Sequence, residues 1–395
     1  MEVPNYSVIL AARRTPIGCL NGSLAELTAP QLAAVVIRQV IADSGVPCEE
    51  IDEVIFGNVV SAGVGQNPAR QAAIRAGIPV CVGATTVNKV CGSGMKAVML
   101  ADQAIRAGEA RVVVAGGMES MSRAPYLIPR ARQGYRLGHG ELWDAVICDG
   151  LWDAYGCQHM GYYGDRCAAH YGITRKEQDD YAVRSYQRAL AAQEKGWFAA
   201  ELVAVEVPGK KTVTLVTQDE EPKRFDELKL RRLPPVFSEQ GTITAANASK
   251  INDGAAAVIV ADARWAEQRR LRPLARIVGT ANCSREPEWF TVAPVDAVRR
   301  LLQRVGWQLE DVDLFEINEA FAVVALVAQR ELGIADERLN VWGGAVALGH
   351  PIGCTGARLL VTLLAAMAQR NARRGVAALC IGGGEAVAIA VERTV

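Results

Sequence analysis

Short apolar runs alternate with amphipathic stretches along the first part of the chain. The runs are almost continuously Val, Ile, Leu and Ala, which is typical of strands buried on both faces. The predicted strands cover residues 8–11, 54–56 and 111–115. The helices predicted between them cover residues 32–44, 69–76 and 95–107, and each is followed by a glycine. This alternation predicts an α/β fold whose sheet is covered by helices on both faces.

The pattern changes between about residues 119 and 246. Tyrosine, tryptophan, proline and charged residues become more frequent there, and the alternation of strand and helix weakens. A long polar helix is predicted over residues 174–193, because Thr174 and Glu177 have the spacing of a capping box. The segment is therefore interpreted as a domain inserted into the α/β scaffold.

The last third of the chain repeats features of the first. Residues 43–52 match residues 304–313 in pattern, at an offset of 261. Residues 112–119 match residues 378–385, since the first segment ends in Ala-Gly-Gly-Met-Glu and the second in Ile-Gly-Gly-Gly-Glu. Two matches at similar offsets predict two similar halves, and ligand sites tend to lie between such halves.

Composition narrows the class of protein. The 395 residues include 43 basic and 43 acidic side chains, and this neutral balance gives no support for nucleic-acid binding or for attachment to a membrane surface. No apolar stretch is long enough to predict a membrane-spanning helix. The termini carry neither a secretory signal nor a peroxisomal Ser-Lys-Leu address. The ten cysteines form no Cys-x-x-Cys pair, so free thiols in a reducing cytoplasm and no metal site are expected.

Cys91 is the first candidate for chemistry. An apolar run ends at this cysteine, and Gly92, Ser93 and Gly94 lead into the predicted helix over residues 95–107. A thiol at that junction would face free backbone N–H groups and the positive end of the helix dipole, which favour the nucleophilic thiolate. The alternative is that Cys91 is a small buried packing residue, as most free cysteines are.

Three segments of the second half contain possible partners. Asn318 follows a predicted strand and begins a helix, where helix capping is the simpler role. His350 stands in a glycine-rich loop, where it is either structural or the base that a cysteine nucleophile needs. Cys380 ends a buried strand just before Gly382, and the glycines there leave N–H groups free to bind an oxyanion.

Many ordered motifs together resemble the thiolase family, most closely its branch with acetyl-CoA C-acetyltransferase activity. The family-like segments are residues 13–18, 65–71, 88–94, 116–122, 247–249, 252–256, 318–322, 349–357 and 380–384. The resemblance implies a layered αβαβα fold built from two similar halves with an inserted loop domain. The implied N-terminal half covers residues 1–118, completed by about 247–271; the loop domain covers 119–246 and the C-terminal half 272–395.

The resemblance also implies a reaction, the reversible Claisen condensation of two acetyl-CoA molecules to acetoacetyl-CoA and CoA. Cys91 would carry the acyl group, and His350 would take its proton. His350 and a water held by Asn318 would stabilise the enolate, while Cys380 would remove the α-proton. The N–H groups of Cys91 and Gly382 would form a second oxyanion hole. CoA thioesters would be substrates, and no separate cofactor or metal is implied.

In the same way, the loop domain is expected to bind CoA. The resemblance implies that Met160 lines the acyl pocket with Phe237 and Phe321. His159 would lie near the thioester, and Ser249 would bond the pantetheine. Arg224 would lie near the nucleotide phosphates, although a solvated charge is the simpler interpretation of that residue. Residues 125–144 resemble the loop through which family members assemble, which implies a homotetramer.

Three residues depart from the family pattern. Tyr162 and Tyr163 replace smaller or polar residues, and they are expected to narrow or reshape the acyl pocket. Lys250 stands where Gly or Thr is common, and its charge would meet a CoA phosphate or lie in solvent. These departures leave open a degradative thiolase for longer 3-ketoacyl-CoAs.

Two interpretations from other classes also stand at this point. The pattern of Gly92, Gly94 and Ala97, with Glu119 after the next strand, fits a dinucleotide-binding fingerprint and would indicate an oxidoreductase. A non-catalytic CoA-binding protein on the thiolase fold is the other alternative. Neither explains why Cys91, His350 and Cys380 occur together.

Overall fold

The computed structural model describes residues 6–209 and 211–393. The interpretation of the two termini concerns residues 1–5 and 394–395, which lie outside the described residues. The strands are β1 (Ser7–Arg14), β2 (Gly18–Cys19), β3 (Glu53–Gly57), β4 (Gly83–Val87), β5 (Val112–Ser120), β6 (Tyr126–Leu127), β7 (Trp143–Asp144), β8 (Trp152–Asp153), β9 (Gln158–His159), β10 (Val205–Pro208), β11 (Val213–Val216), β12 (Asn252–Asp262), β13 (Ala275–Ser284), β14 (Leu314–Ile317), β15 (Arg374–Ile381) and β16 (Glu385–Arg393). The helices are α1 (Ala29–Ser44), α2 (Pro68–Ala76), α3 (Ser93–Ala107), α4 (Met160–His170), α5 (Arg175–Glu194), α6 (Glu227–Arg232), α7 (Ala263–Gln268), α8 (Ala293–Val305), α9 (Ala322–Leu332), α10 (Ala345–Leu348) and α11 (Ile352–Gln369).

One continuous path of hydrogen-bonded strands forms the framework, and it divides into two sheets with matching strand orders. The first has the order β1-β12-β5-β3-β4, and the second has the order β13-β16-β15-β14. They are joined where β1 pairs with β13 through two residue pairs, Val8 with Arg276 and Ile9 with Ala275. In each sheet the two strand pairs nearest the join are antiparallel, and the pairs toward the far edge are parallel.

Five layers result from the packing of helices on these sheets. Helices α3 and α11 pack against each other and contact strands of both sheets, so they form the central layer. Helices α1 and α2 cover the outer face of the first sheet, and α8 covers that of the second. The order is αβαβα, which confirms the predicted fold class. Among the described residues, α11 is the one helix long and apolar enough to cross a membrane, and it is buried in this central layer.

The internal repeat predicted from the sequence is visible in matching hydrogen bonds. Asp52 Oδ2 accepts the backbone N–H groups of Arg111 and Val112, at the start of β5. Asp313, 261 positions later in the sequence, accepts the N–H groups of Arg373 and Arg374, at the start of β15. Each aspartate therefore fixes the register of one strand against the next in its own half.

The segment between β5 and β12 differs from both halves. It contains three two-stranded sheets, β6–β7, β8–β9 and β10–β11, and the helices α4, α5 and α6. Thr174 and Glu177 form the predicted capping box at the start of α5. Arg14 ties this segment to the first sheet, because its buried guanidinium bonds both Glu201 and Asp219. The segment is thus anchored to the framework that carries Cys91.

We predict that the close contact between α3 and α11 tolerates no side chain at Gly94. A Cβ there would lie 2.8 Å from the Ala357 nitrogen and 2.9 Å from the Gly353 oxygen, both backbone atoms. Gly94→Ala should lower the free energy of unfolding by about 2 kcal/mol, measured by urea unfolding at fixed protein concentration. Gly83→Ala is the matched control, because no atom lies within 4 Å of its Cβ position. Equal stability of the two variants would contradict the packing.

Candidate active site

Cys91 lies in a tight turn between strand and helix. Strand β4 ends at Val87 and α3 begins at Ser93, so the prediction that the strand runs to the cysteine was wrong by four residues. Val90 adopts a left-handed conformation, with φ of 45°. The Ser93 hydroxyl donates to the Val90 carbonyl and accepts the Lys89 N–H, which closes the turn. The turn leaves Cys91 partly exposed.

The environment of Cys91 favours the thiol over the thiolate. Burial of the sulfur raises its pKa to about 11, and the charge of Glu119 acts in the same direction. The backbone N–H groups of Gly382 and of Cys91 itself oppose this shift, because they hydrogen-bond the sulfur. The expectation that the helix terminus would stabilise a thiolate was therefore wrong, because the net shift of the Cys91 pKa is upward. An external base is needed to remove the proton.

Cys380 lies near Cys91 at the end of a buried strand. It is the penultimate residue of β15 and is fully buried. Burial raises its pKa well above the usual value, and the charge of Cys91 raises it further. Gly383 and Gly384 follow with φ of 89° and 85°, a conformation that turns the chain back into β16 and suits glycine. Both sulfurs are thus protonated at neutral pH.

His350 is held by its neighbours in one orientation. Its backbone N–H donates to Asn252 Oδ1 at 3.0 Å. Its ring Nδ1 lies 2.6 Å from the Thr355 hydroxyl, and that hydroxyl donates to the Pro351 carbonyl at 2.9 Å. Because the single hydroxyl proton goes to the carbonyl, Nδ1 must supply the proton of the first bond. This assigns the proton to Nδ1 and leaves the lone pair on Nε2.

The same histidine is neutral and has a free acceptor. Burial lowers the pKa of His350 to about 3, and the charge of Arg358 lowers it further. Nε2 has no hydrogen-bond partner among the described residues, although the ring is buried. A buried nitrogen without a partner is rare in a folded protein and is commonest where a ligand binds. His350 therefore has the protonation state of a general base.

Asn318 lies in the loop between β14 and α9. Its backbone N–H donates to the Ala378 carbonyl at 3.0 Å, which fixes the loop beside the strand that ends at Cys380. Helix α9 begins at Ala322, and its N-terminal residue Phe321 has no capping side chain, so the capping role considered for Asn318 is wrong. Both polar atoms of the Asn318 side chain are buried without a partner among the described residues. A bound water or ligand oxygen would satisfy them.

One cavity of about 460 Å³ includes His350 and most of the predicted substrate-binding residues. The ring of His159 stacks on Phe237 at 4.5 Å between centroids, and Phe237 meets Phe321 edge to face at 6.2 Å. Five of the six predicted residues line this cavity, namely His159, Arg224, Phe237, Ser249 and Phe321. The sixth, Met160, lies beside the turn after Cys380, with its Cε 3.6 Å from the Cβ position of Gly382.

Two of the residues that depart from the family pattern, Tyr162 and Tyr163, lie outside the cavity that includes His350. Tyr163 is buried and donates to Asp153, and the ring of Tyr162 lines a separate surface depression. Neither tyrosine lines the cavity that includes His350, but Tyr163 packs in the same apolar cluster as Met160 and Phe321, so an effect of the tyrosines on the acyl pocket stays a prediction. Lys250 does line that cavity, but its ammonium bonds backbone carbonyls rather than lying in solvent.

Glu119 contradicts the dinucleotide-binding interpretation. Its carboxylate is fully buried and accepts bonds from Asn58, Val59, Val60 and the N–H of Gly353 in the first turn of α11. It therefore has no capacity to bind a ribose. Its contacts instead join the first half of the chain to the first turn of the helix that follows His350.

Three residues that were not predicted from the sequence hold the active-site residues in position. Thr355 and Asn252 orient His350, and Glu119 fixes the start of α11. A hydroxyl one helical turn after Pro351 is a local signal that could have indicated Thr355. Asn252 is 98 residues away in the chain, so only the fold reveals its contact. No group of three or more potential metal ligands occurs within residues 6–209 and 211–393.

Comparisons with known proteins agree with this geometry. Residues 7–264 match the family model of the thiolase N-terminal domain, and residues 271–393 match that of the thiolase C-terminal domain. An acetyl-CoA acetyltransferase of Pseudomonas aeruginosa is 51% identical over 388 residues, which cover 98% of this chain and 99% of the relative. Acetyl-CoA acetyltransferase 2 of Arabidopsis thaliana is 50% identical over 392 residues, which cover 98% and 97%.

Solved structures are similar over the full length as well. The Acat5 thiolase of Ascaris suum, in complex with coenzyme A, has a TM-score of 0.94 and 44% identity, and the match covers 98% of this chain and 100% of that chain. The acetyl-CoA acetyltransferase of Bacillus anthracis has a TM-score of 0.98 and 40% identity, with both chains covered completely. The similarity therefore extends over both sheets and the segment between β5 and β12.

We predict that alkylation of Cys91 by iodoacetamide accelerates throughout the alkaline range. Its pKa of about 11 means that the thiolate fraction rises about tenfold for each pH unit up to that value. The rate, followed by mass spectrometry of the Cys91 peptide, should therefore rise from neutral pH to about pH 10 without a plateau. A free cysteine peptide is the control, and its rate should level off above about pH 9. A plateau for Cys91 near neutral pH would show a preformed thiolate and contradict the assignment.

Proposed function

The chain belongs to the thiolase family, and we propose that it works as an acetyl-CoA C-acetyltransferase through an acyl-Cys91 intermediate. The reaction is the reversible condensation of two acetyl-CoA molecules to acetoacetyl-CoA and CoA. Relatives with half of their residues identical over nearly the whole chain carry the name of this activity. The observations that carry the mechanism are the protonated state of the Cys91 thiol and a neutral His350 whose Nε2 has no partner among the described residues.

The first half-reaction transfers an acetyl group to Cys91. His350 Nε2 accepts the thiol proton, and the sulfur attacks the thioester carbonyl of acetyl-CoA. The N–H groups of Cys91 and Gly382, which hydrogen-bond the sulfur, are placed to stabilise the oxyanion that forms beside it. Collapse of the tetrahedral intermediate breaks the C–S bond to CoA, and the CoA sulfur leaves as a thiol with the proton from His350.

The second half-reaction forms a carbon–carbon bond. Cys380 first gives its thiol proton to His350 Nε2, and the resulting thiolate removes an α-proton from a second acetyl-CoA. The enolate attacks the acetyl carbonyl on Cys91, the bond between that carbon and the Cys91 sulfur breaks, and the Cys91 sulfur takes back a proton from His350. A water held by Asn318 and the Nε2–H of the protonated His350 stabilise the enolate oxygen, since both polar atoms of the asparagine side chain are otherwise unpartnered. A thiol with a raised pKa is a weak acid, so its thiolate is a strong base for the α-proton.

The cavity beside His350 is proposed as the tunnel for the pantetheine arm. Ser249 bonds the arm, and His159 and Met160 lie near the thioester. Phe237 and Phe321 line the acyl pocket, and Arg224 lies toward the nucleotide. The similar thiolase of Ascaris suum binds coenzyme A, which supports this use. Residues 119–246 would then act as the CoA-binding loop domain between halves 1–118, completed by about 247–271, and 272–395.

A homotetramer is proposed from the apolar surface of the loop domain. Tyr126, Leu137, Leu142 and Trp143 are between 49% and 98% exposed in the single chain, within or next to the segment 125–144 that resembles the assembly loop of the family. An exposed apolar surface of this kind is typical of a subunit contact. We also propose a cytoplasmic location, because the mechanism needs free thiols and all ten cysteines are free.

Two cysteine variants test the mechanism directly. Cys91→Ala should abolish CoA-dependent cleavage of acetoacetyl-CoA and still bind CoA, because the cavity beside His350 keeps its lining. Cys380→Ala should form acetyl-Cys91 from acetyl-CoA and release CoA once, but condensation should fall at least about a thousandfold without the base. Mass spectrometry of the Cys91 peptide and spectrophotometry of acetoacetyl-CoA report the two steps separately.

Matched replacement of another buried cysteine provides the control. Cys167→Ala removes a thiol that is fully buried but has no role in the proposed steps, and it should keep both half-reactions. Turnover by Cys91→Ala would remove the acyl-enzyme from the mechanism. Normal condensation by Cys380→Ala would assign the base to another group.

The preference for short acyl chains is a separate prediction. Met160 and Phe321 pack in one apolar cluster with Cys380, and Phe237 packs against that cluster, which restricts the space for a longer acyl chain. The rate of CoA-dependent cleavage should fall steeply when 3-ketoacyl-CoAs are lengthened beyond four or five carbons. Constant or rising rates up to about eight carbons would support the alternative, a degradative thiolase for longer chains.

A further inference from the structure

Lys250 is a half-buried lysine beside the proposed substrate tunnel. Its ammonium lies 2.8 Å from the Ala248 carbonyl, 3.1 Å from the Val346 carbonyl and 3.5 Å from the Ala246 carbonyl. It also lies 5.5 Å from the centre of the Tyr186 ring, within range of a cation–π interaction. The three protons of the ammonium are thus directed at backbone atoms.

These carbonyls belong to two different loops of the site. Ala246 and Ala248 are in the segment that carries Ser249, and Ala248 also pairs with Phe321 in an isolated bridge. Val346 is in α10, the short helix that ends just before His350. Lys250 therefore connects the loop that would bind pantetheine to the loop that presents the base.

The orientation of His350 does not depend on the Lys250 ammonium, because the histidine keeps its bonds to Asn252 and Thr355. The segment that carries Ser249 has backbone bonds of its own, including one from the Ser249 N–H to the Ala320 carbonyl at 2.9 Å, and the Lys250 ammonium adds charged contacts to them. Loss of the ammonium would remove the charged bonds to Ala246 and Ala248 on either side of Asn247. Its effect should therefore fall on CoA binding more than on the chemical step.

Within residues 6–209 and 211–393, no carboxylate forms a salt bridge with the Lys250 ammonium. Burial lowers the pKa of Lys250 to about 8, and the more distant Glu221 and Glu319 limit that shift. Glu221 already accepts the Cys19 thiol and the Tyr186 hydroxyl, and Glu319 accepts the Val346 N–H. The titratable and charged groups that face the ammonium or share its cavities are Cys19, Tyr186, Glu221, Arg224, Asp226, Lys229, Glu319 and His350.

We propose that Lys250 is a positioning residue for the CoA substrate, whose charged form ties the Ser249 loop to α10 and so holds the pantetheine site in shape. The inference rests on the proposed function, because it assigns the pantetheine arm to the cavity that Lys250 lines. Lys250 acts through Ser249 and its loop and takes no part in proton transfer.

The protonation state gives the proposal a readout that a purely structural lysine lacks. Below its pKa the ammonium makes all of its bonds, and as pH rises through about 8 it loses a proton and the tie weakens. The KM for CoA in acetoacetyl-CoA cleavage should therefore be constant below about pH 7 and rise through an inflection near 8. The kcat should show no matching inflection.

Three variants separate the effect of the charge at position 250 from the effect of side-chain size and from the effect of removing a lysine elsewhere. Lys250→Met keeps the length of the side chain without the charge, and it should raise the KM for CoA about tenfold at neutral pH. Lys250→Arg stays charged at all these pH values, so its KM should lack the inflection near 8. Lys176→Met is the control, since that exposed lysine pairs only with Asp180 and should behave like the unaltered enzyme. Titration of the CoA thiol changes the KM for CoA equally in all four proteins, so it cancels when the KM of each variant is divided by that of the unaltered enzyme.

Calorimetric titration with CoA over the same pH range distinguishes the two possible failures. If the unaltered enzyme cleaves no acetoacetyl-CoA, the proposed function fails, and the dissociation constant of CoA still tests Lys250. If Lys250→Met keeps the unaltered affinity and inflection, or Lys250→Arg keeps the inflection, the positioning role is wrong. A higher dissociation constant for Lys250→Met and a pH-independent one for Lys250→Arg support it, with thermal unfolding used to show that both variants are folded.

Discussion

The hydrogen bond between His350 Nδ1 and the Thr355 hydroxyl sets the chemistry of the whole site. Because that hydroxyl gives its own proton to the Pro351 carbonyl, the ring must donate through Nδ1 and keep a lone pair on Nε2. Burial then prevents the ring from acquiring a second proton at neutral pH. A neutral base with one free nitrogen is what two buried, protonated thiols require. Without this bond, neither Cys91 nor Cys380 would have a defined partner for its proton.

The fold delivers these groups by duplicating one α/β unit. Cys91 comes from the loop before α3 in the first half, whereas His350 comes from the loop before α11 in the second. The two helices pack against each other between the sheets, and Gly94 and Gly356 allow their backbones to approach closely. Glu119 bonds the first turn of α11 from the first half. The position of the base relative to the nucleophile is therefore a property of the central layer.

The sequence predicts features that depend on neighbouring residues, but it does not predict features that depend on contacts between residues far apart in the chain. The α/β class, the repeat of Asp52 and Asp313 and the capping box of Thr174 were predictable because each leaves a local pattern, whereas the αβαβα layering was implied by the resemblance to thiolases. The pKa of Cys91 was not, since the helix terminus is visible in the sequence but burial by residues from the other half is not. The bond from Tyr163 to Asp153 was not predicted either, because Asp153 lies in the short strand β8, which no pattern indicated. The bonds of Lys250 to Val346 span 96 residues and leave no signal in the sequence.

The measurement that tests the central claim most directly is the position of the acetyl group after one half-reaction. The enzyme would be mixed with acetyl-CoA carrying an isotopic label in the acetyl group, quenched within the first turnover, digested and analysed by mass spectrometry. The account predicts one labelled acetyl group on the Cys91 peptide, with one CoA released for each, and no label on the Cys380 peptide. Label on Cys380, or release of acetoacetyl-CoA with no labelled cysteine at any quench time, would contradict it.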